Sequence, residues 1–225
     1  MIIATLKGSI MEWLFSLADF FIHLDHHLKE ILEHYGTGTY LLVFLIIFCE
    51  TGLVVTPFLP GDSLLFVLGT FAAAGSLNIA TLLVILSIAA ILGDSANYGI
   101  GHKLAPRIFR HEHIKFVKQE YLERTERFFE KYGGKTIIIA RFVPIIRTFA
   151  PFLAGVGSMR YLRFALYNVA GGLLWVFLIT LAGYFLGNIP LVQKNFTLVI
   201  YLIIIVSLIP AVLEFYQHRK PKLFR

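Results

Sequence analysis

The chain has 225 residues, of which 57% are hydrophobic and 15% are charged, and its mean hydropathy is +0.76. This composition excludes an ordinary soluble domain, which carries more charge, and one cysteine, Cys49, excludes an internal disulfide framework. The net charge of +6 does not indicate a nucleic-acid partner, because the basic residues lie in segments between apolar runs. We therefore predict an all-α integral membrane protein that forms a single domain over residues 1–225.

The N-terminal segment, residues 1–33, is predicted to form an amphipathic helix. From Met11 onwards it mixes apolar and polar residues, so we expect it to lie flat on the outer surface of the membrane. A membrane-spanning arrangement of residues 10–33 is the alternative, and both Met1 and Met11 are candidates for the first residue. No small-residue cleavage site follows, which argues against a signal peptide.

The next segment, residues 34–101, is predicted to contain a re-entrant helical hairpin and a transmembrane helix. The apolar stretch Tyr40–Cys49 is too short to span a bilayer. Pro57 and Pro60 then break the helix, because proline lacks the amide donor and clashes with the preceding turn. Another short apolar stretch, 63–74, follows, and the stretch 79–100 is long enough to cross.

A second unit, residues 133–187, is predicted to repeat this arrangement. The apolar stretch 136–146 is followed by a break around Pro144 and Pro151, and the stretch 164–186 is long enough to cross. Because each unit crosses the membrane once, the two units are predicted to be inverted repeats, as in many secondary transporters.

Three pairs of short sequences suggest how the two units align. The first alignment pairs Glu33–Gly36 with Glu130–Gly133. The second pairs Glu50 with Arg141 and Pro60 with Pro151. The third pairs Ala96–Gly101 with Ala182–Gly187. Each pair is weak by itself, but they occur in the same order in both halves. A duplication is therefore the favoured interpretation.

The remaining segments complete the predicted topology. Residues 102–132 are expected to form a cytoplasmic loop with a charged amphipathic helix, residues 196–216 a final transmembrane helix, and residues 217–225 a basic cytoplasmic tail. This arrangement places most lysines and arginines on one side of the membrane, in agreement with the positive-inside rule. It predicts a multi-pass protein with a cytoplasmic C-terminus.

Charged residues inside the predicted hairpins are the candidate site. Buried charges in a membrane are costly and are functional candidates by default. Arg141 and Arg147 present planar donor forks that suit phosphate oxygens, whereas Glu50 and Asp62 can take up and release protons. The secondary candidates are Asp94, Asn97, Pro60, Pro151 and Ser63.

A purely structural interpretation of these charges stays open. Asp62 or Ser63 would cap the helix that follows Gly61, and Glu50 and Arg141 would neutralise each other. Catalysis is not indicated, since no histidine lies between His113 and His218 and no other catalytic constellation is present. The N-terminal histidines fit an interfacial polar face better than a metal site. We therefore predict no enzyme activity, no cofactor and no metal.

Three motifs resemble those of the DedA family of bacterial membrane proteins. They are E-x9-P-G-D-S at Glu50–Ser63, GD-x-x-N-Y-x-x-G at Gly93–Gly101, and RF-x-P-x-x-R-T-F-x-P-x-x-A-G at Arg141–Gly155. The resemblance covers nearly the whole chain. It implies an inner-membrane protein of a superfamily that includes lipid scramblases, with Glu50 and Asp62 as its acidic pair and Arg141 and Arg147 as its arginine pair.

The function that follows from the resemblance is lipid transport. We expect a flippase of the bacterial inner membrane, driven by the proton-motive force, that moves undecaprenyl phosphate or a phospholipid such as phosphatidylethanolamine. Its partners would be membrane lipids and protons, and a homo-oligomer is compatible with the sequence. The alternatives are a proton-coupled transporter of ions or small cations, and a lipid-binding membrane organiser that transports nothing.

Overall fold

The computed structural model describes residues 34, 36–53, 61–110, 133–157, 159–187 and 189–190. These residues are helical, without strands. The helices are α1 Gly38–Gly52, α2 Gly61–Ala73, α3 Ile79–Arg110, α4 Lys135–Ala140, α5 Pro144–Val156 and α6 Tyr161–Leu186. The predicted N-terminal helix (1–33), the amphipathic helix of the loop, the final transmembrane helix (196–216) and the basic tail (217–225) lie outside the described residues.

Two of the described helices are long and apolar enough to cross a membrane. These are α3, over Ile79–Ala105, and α6, over Tyr161–Leu186. The helix α3 continues to Arg110, nine residues beyond the boundary at Gly101 that was predicted for the first unit. Gly101 does not end the helix, since it is a point of close contact with α5 and not a left-handed cap.

The second predicted break is shorter than expected. Between the two short helices of the second unit, α4 and α5, the described chain leaves helical geometry only at residues 141–143. Pro144 is the first residue of α5, where its missing amide proton would have no partner anyway. Pro151 lies inside α5, which continues to Val156. The predicted break around Pro151 is therefore wrong, although both units do contain two short helices followed by a long one.

The packing of the helices has the same pattern in both units. The first short helix of each unit packs on the long helix of its own unit, α1 on α3 and α4 on α6. The second short helix packs on the long helix of the other unit, α2 on α6 and α5 on α3. The two long helices also contact each other. Exchanging the two units leaves this pattern of contacts unchanged.

Glycines fix how closely the two units pack. A Cβ atom on Gly69 would lie 2.1 Å from the Thr180 carbonyl oxygen, and one on Gly183 would lie 2.1 Å from the Phe66 carbonyl oxygen. Distances this short to backbone atoms leave no room for any other side chain at these positions. The α2–α6 contact therefore depends on a glycine in each helix.

The α3–α5 contact repeats this geometry. A Cβ atom on Gly155 would lie 2.2 Å from the Tyr98 carbonyl oxygen, and one on Gly101 would lie 2.2 Å from the Phe152 carbonyl oxygen. Gly155 therefore corresponds to Gly69, and Gly101 to Gly183. The α2–α6 and α3–α5 contacts are therefore equivalent at these four glycines and the carbonyl groups that they face.

This correspondence corrects two of the predicted alignments. Phe152 corresponds to Phe66, so the residue of the first unit that is equivalent to Pro151 is Leu65 and not Pro60. Gly101 corresponds to Gly183 and not to Gly187, one helical turn away. Gly183 and Gly187 lie one turn apart on the same face of α6, so the sequence pattern alone did not show which of them corresponds to Gly101.

The first predicted alignment agrees with the backbone. Gly36 and Gly133 have φ values of +50° and +65°, and each lies two residues before the first short helix of its unit. Left-handed geometry of this kind favours glycine. Gly36 and Gly133, the last residues of the first predicted pair, therefore share one backbone conformation, and the rest of that alignment stays a prediction.

A pair of alanine substitutions on α3 tests the glycine contacts. We expect Gly101→Ala to lower the free energy of unfolding by roughly 1–3 kcal/mol, because the backbone of α5 at Phe152 has to move away. Gly99→Ala is the matched control, since its Cβ atom would meet nothing within 4 Å. Unfolding of the purified protein in detergent measures both, and equal effects would contradict the close-contact interpretation.

Candidate functional site

The four charged residues singled out from the sequence lie at the two interruptions between short helices. Glu50 is near the end of α1, and Asp62 is in the first turn of α2. Arg141 follows α4, and Arg147 is in the first turn of α5. Glu50, Arg141 and Arg147 are between 1% and 4% exposed. The fold therefore brings carboxylates of one unit beside guanidinium groups of the other.

Arg147 binds both acids of the first unit. Its Nη2 donates to Glu50 Oε1 at 2.6 Å, and its Nη1 donates to Asp62 Oδ1 at 3.0 Å. One guanidinium group thus joins the end of α1 to the start of α2. We call Arg147, Glu50 and Asp62 the Arg147 cluster.

Gly61 completes the surroundings of Glu50. Its backbone amide donates to Glu50 Oε1 at 3.2 Å. A Cβ atom on residue 61 would lie 2.0 Å from Glu50 Oε2, so a larger residue would displace the carboxylate. The glycine of the P-G-D-S motif is therefore required by the position of the acid.

Arg141 forms a second cluster with residues of the long helices. Its Nη2 donates to Asp94 Oδ2 and to Asn168 Oδ1, both at 2.5 Å. Gly171 and Gly172 lie beside this arginine, and Cβ atoms there would be in van der Waals contact with its side chain and closer to Ile138 and Ile91. The alternative in which Glu50 and Arg141 neutralise each other is wrong, since Glu50 binds Arg147 and Arg141 binds Asp94.

Among the secondary candidates, Asn97 has the clearest role. It is fully buried, and its Nδ2 donates to the Thr51 carbonyl at 3.1 Å and to the Thr148 carbonyl at 2.8 Å. It therefore links the end of α1 to α5 across the two units. Ser63 is buried in the first turn of α2 and Pro151 is buried in α5, whereas Pro60 lies outside the described residues.

Sequence reasoning missed two members of the site, Trp175 and Asn168. Trp175 donates from Nε1 to Asp62 Oδ1 at 2.7 Å, and its ring lies within 6 Å of the guanidinium carbons of both arginines. Asn168 accepts from Arg141 and donates to the Ile91 carbonyl at 3.0 Å. A polar amide in an apolar spanning helix was a usable signal for Asn168. Nothing in the apolar run around Trp175 marked the tryptophan.

The charges of the site almost cancel. Two arginines face three acids, Glu50, Asp62 and Asp94, which leaves one negative charge in excess when all are ionised. Several buried polar atoms of the site have no hydrogen-bond partner among the described residues, namely Glu50 Oε2, Asp94 Oδ1, Asn97 Oδ1, Arg141 Nε and Nη1, and Arg147 Nε. Donors and acceptors are therefore available inside a largely closed site. Within the described part of the chain, no group of His, Cys, Asp and Glu is arranged to hold a metal ion.

Comparison with known proteins relates the chain to membrane proteins of several bacteria. It is 53% identical to Protein DedA of Escherichia coli over 93% of this chain and 97% of that protein. It is 45% identical to an uncharacterized membrane protein of Mycobacterium tuberculosis over 80% of each chain. It is 35% identical to the inner membrane protein YqjA of Escherichia coli over 69% of this chain and 70% of that one. No solved structure matches.

The family match covers most of both units of the fold and leaves out α1 with Glu50. The VTT domain matches residues 59–185, from the start of α2 almost to the end of α6. This range contains both arginines, Asp62 and the two long helices. With the identity to relatives across nearly the full chain, it confirms the resemblance: the chain is a membrane protein that belongs to the DedA family.

Proposed function

We propose that this protein is a transporter of the bacterial inner membrane that moves a phosphate-bearing lipid from one leaflet to the other. The observation that carries the proposal is the position of Arg147, held by two acids of the other unit where the two interruptions meet. A guanidinium fork suits phosphate oxygens, and buried ion pairs of this kind are typical of transport sites. Undecaprenyl phosphate and phospholipids such as phosphatidylethanolamine both present the required phosphate.

The architecture that fits this function is a pair of inverted repeats with re-entrant hairpins. With 15 residues at about 1.5 Å each, α1 falls short of the roughly 30 Å of a hydrocarbon core, and α2 and α5 are shorter still. One crossing helix per unit then places the units in opposite orientations. The interchangeable packing of the two units supports this arrangement, which is common in secondary transporters.

The mechanism we propose is alternating access coupled to protons. An anionic headgroup is repelled while Glu50 and Asp62 are ionised and paired with Arg147. Protonation of these acids releases the guanidinium group, which then binds the phosphate while the lipid tails stay in the bilayer. The protein carries out no covalent chemistry. The distribution of basic residues along the sequence supports a cytoplasmic C-terminus for this transporter.

Reconstitution tests the proposal directly. The purified chain is placed in vesicles of bacterial phospholipid, and movement of labelled undecaprenyl phosphate and phosphatidylethanolamine is followed with and without a pH gradient. We expect faster movement of at least one of them, and a dependence on the gradient. Leu45→Ala, on an exposed face of α1, is a control that keeps the site intact. Failure to move any lipid under either condition would overturn the proposal.

The excess negative charge of the site favours a second candidate function. Three acids against two arginines would accommodate a small cation as well as a proton. The same vesicles distinguish the candidates, because a cation transporter would move sodium or potassium ions, measured by a fluorescent indicator, and leave lipid distribution unchanged.

A further inference from the structure

Trp175 connects the Arg147 cluster to the cluster around Arg141. The residue is 1% exposed in the middle of α6. Its ring centroid lies 4.9 Å from the guanidinium carbon of Arg147 and 5.9 Å from that of Arg141. Both distances are within the range of cation–π attraction. The tryptophan is therefore placed to respond to any change in the partners of either arginine.

Two donors converge on one oxygen of Asp62. Arg147 Nη1 lies 3.0 Å from Asp62 Oδ1, and Trp175 Nε1 lies 2.7 Å from the same atom. The Asp62 side chain is 16% exposed, against 1% for Glu50. Asp62 is thus the more accessible of the two acids that hold Arg147. Its departure would leave a guanidinium donor and an indole donor directed at the same point.

We propose that Asp62 Oδ1 occupies the position of a phosphate oxygen of the ligand, and that Trp175 Nε1 is a second donor to that oxygen beside Arg147. This inference rests on the proposed function and names a binding residue for it. When the Asp62 side chain moves away, the phosphate oxygen accepts from both donors in its place. The lipid headgroup thus competes with a carboxylate of the protein itself.

The chemistry of tryptophan suits this position. Its indole N–H is donor-only and uncharged, so it adds a hydrogen bond to phosphate without bringing a third cation beside two arginines. The ring keeps its contacts with both guanidinium groups whether Asp62 or phosphate is bound. Phenylalanine would retain the ring and lose the donor, which separates the two contributions experimentally.

Binding measurements with three probes test the proposal. The probes are radiolabelled geranylgeranyl phosphate, dihexanoyl phosphatidylethanolamine and inorganic phosphate, each titrated into detergent-solubilised full-length protein. We expect Asp62→Ala to bind a lipid probe about tenfold or more tightly than the unsubstituted protein, because the competing carboxylate is gone. We expect Trp175→Phe to weaken binding about tenfold in either background, because a hydrogen bond to a charged group is lost.

Fluorescence gives an independent readout of the same event. The chain has two tryptophans, so Trp13→Phe leaves Trp175 as the single indole fluorophore. Its emission should change when a lipid probe replaces Asp62, and the change should be absent when inorganic phosphate at the same concentration is added. Inorganic phosphate binding as tightly as the lipid probes would overturn the assignment to a lipid headgroup.

The variants have controls that separate folding from binding. Phe177→Leu, two residues further along α6 and 41% exposed, should bind the probes like the unsubstituted protein. Thermal unfolding reports whether Trp175→Phe is folded. If it is not folded, binding by Asp62→Ala still tests whether Asp62 occupies the position of the phosphate oxygen. Unchanged binding by folded Trp175→Phe, or no gain with Asp62→Ala, would overturn the inference.

Binding and transport can fail separately. If the two substitutions change binding as expected but no lipid moves in vesicles, the phosphate site stands and the transport proposal falls. If lipid moves normally and neither substitution affects binding, transport stands and the role of Trp175 falls.

Discussion

Replacing Arg147 with alanine is expected to abolish lipid movement in vesicles and to lower the free energy of unfolding by about 3–5 kcal/mol. Arg147 is buried and is hydrogen-bonded to two carboxylates, Glu50 and Asp62. Its removal leaves these acids in a poorly hydrated site without the cation that neutralises them. Transport and stability would both suffer, so a second substitution is needed to tell the two effects apart.

The double variant Arg147→Ala with Glu50→Gln separates function from stability. Neutralising Glu50 removes the more deeply buried of the two uncompensated charges, so part of the lost stability should return. Transport should not return, because the phosphate donor is still missing. Arg160→Ala, at an exposed arginine just before α6, is the matched control and should change neither property. Lipid movement by the single or the double variant would contradict the role of Arg147.

Glu50→Gln alone is expected to uncouple transport from the pH gradient. Glutamine is isosteric with glutamate, and its carbonyl oxygen can keep the contacts that Glu50 Oε1 makes with Arg147 and with the Gly61 amide. The substitution removes the excess negative charge of the site and one proton-accepting group. Lipid should therefore move at the same rate with and without an imposed gradient.

The measurement compares initial rates of lipid movement at equal and unequal pH across the vesicle membrane. The unsubstituted protein and Leu45→Ala should respond to the gradient, whereas Glu50→Gln should not. The charged groups that surround residue 50 and also influence the result are Asp62, Asp94, Arg141 and Arg147. A normal gradient response in Glu50→Gln would assign proton coupling to Asp62 or Asp94 instead.

Local features of the sequence were sufficient to find the candidate residues. Glu50, Asp62, Arg141 and Arg147 stand out because charges within apolar segments are costly and therefore rare. The first interruption was also predictable, since α1 and α2 are separated by a proline-containing stretch. The second was located less well, because a proline at the first position of α5 and one inside it look alike in the sequence.

The partners of these residues depended on tertiary structure. By charge alone, Glu50 could pair with Arg141. In the fold, Glu50 binds Arg147. Arg141 binds Asp94 and Asn168 instead. Trp175 belongs to the site because the packing of the helices brings its indole N–H to Asp62, although it lies in an apolar helix. Which ions meet is decided by the packing of α2 on α6 and of α5 on α3.

The sequence by itself determined the class of the protein, the long apolar helices α3 and α6 and the ionisable residues of the site, since hydrophobic length and buried charge are properties of single segments. Only the tertiary structure decided the register of the two units and the ion pairs between them. Glycine contacts such as Gly69 with Gly183 set that register through backbone atoms. The sequence shows where the glycines are, but not which backbone packs against each of them.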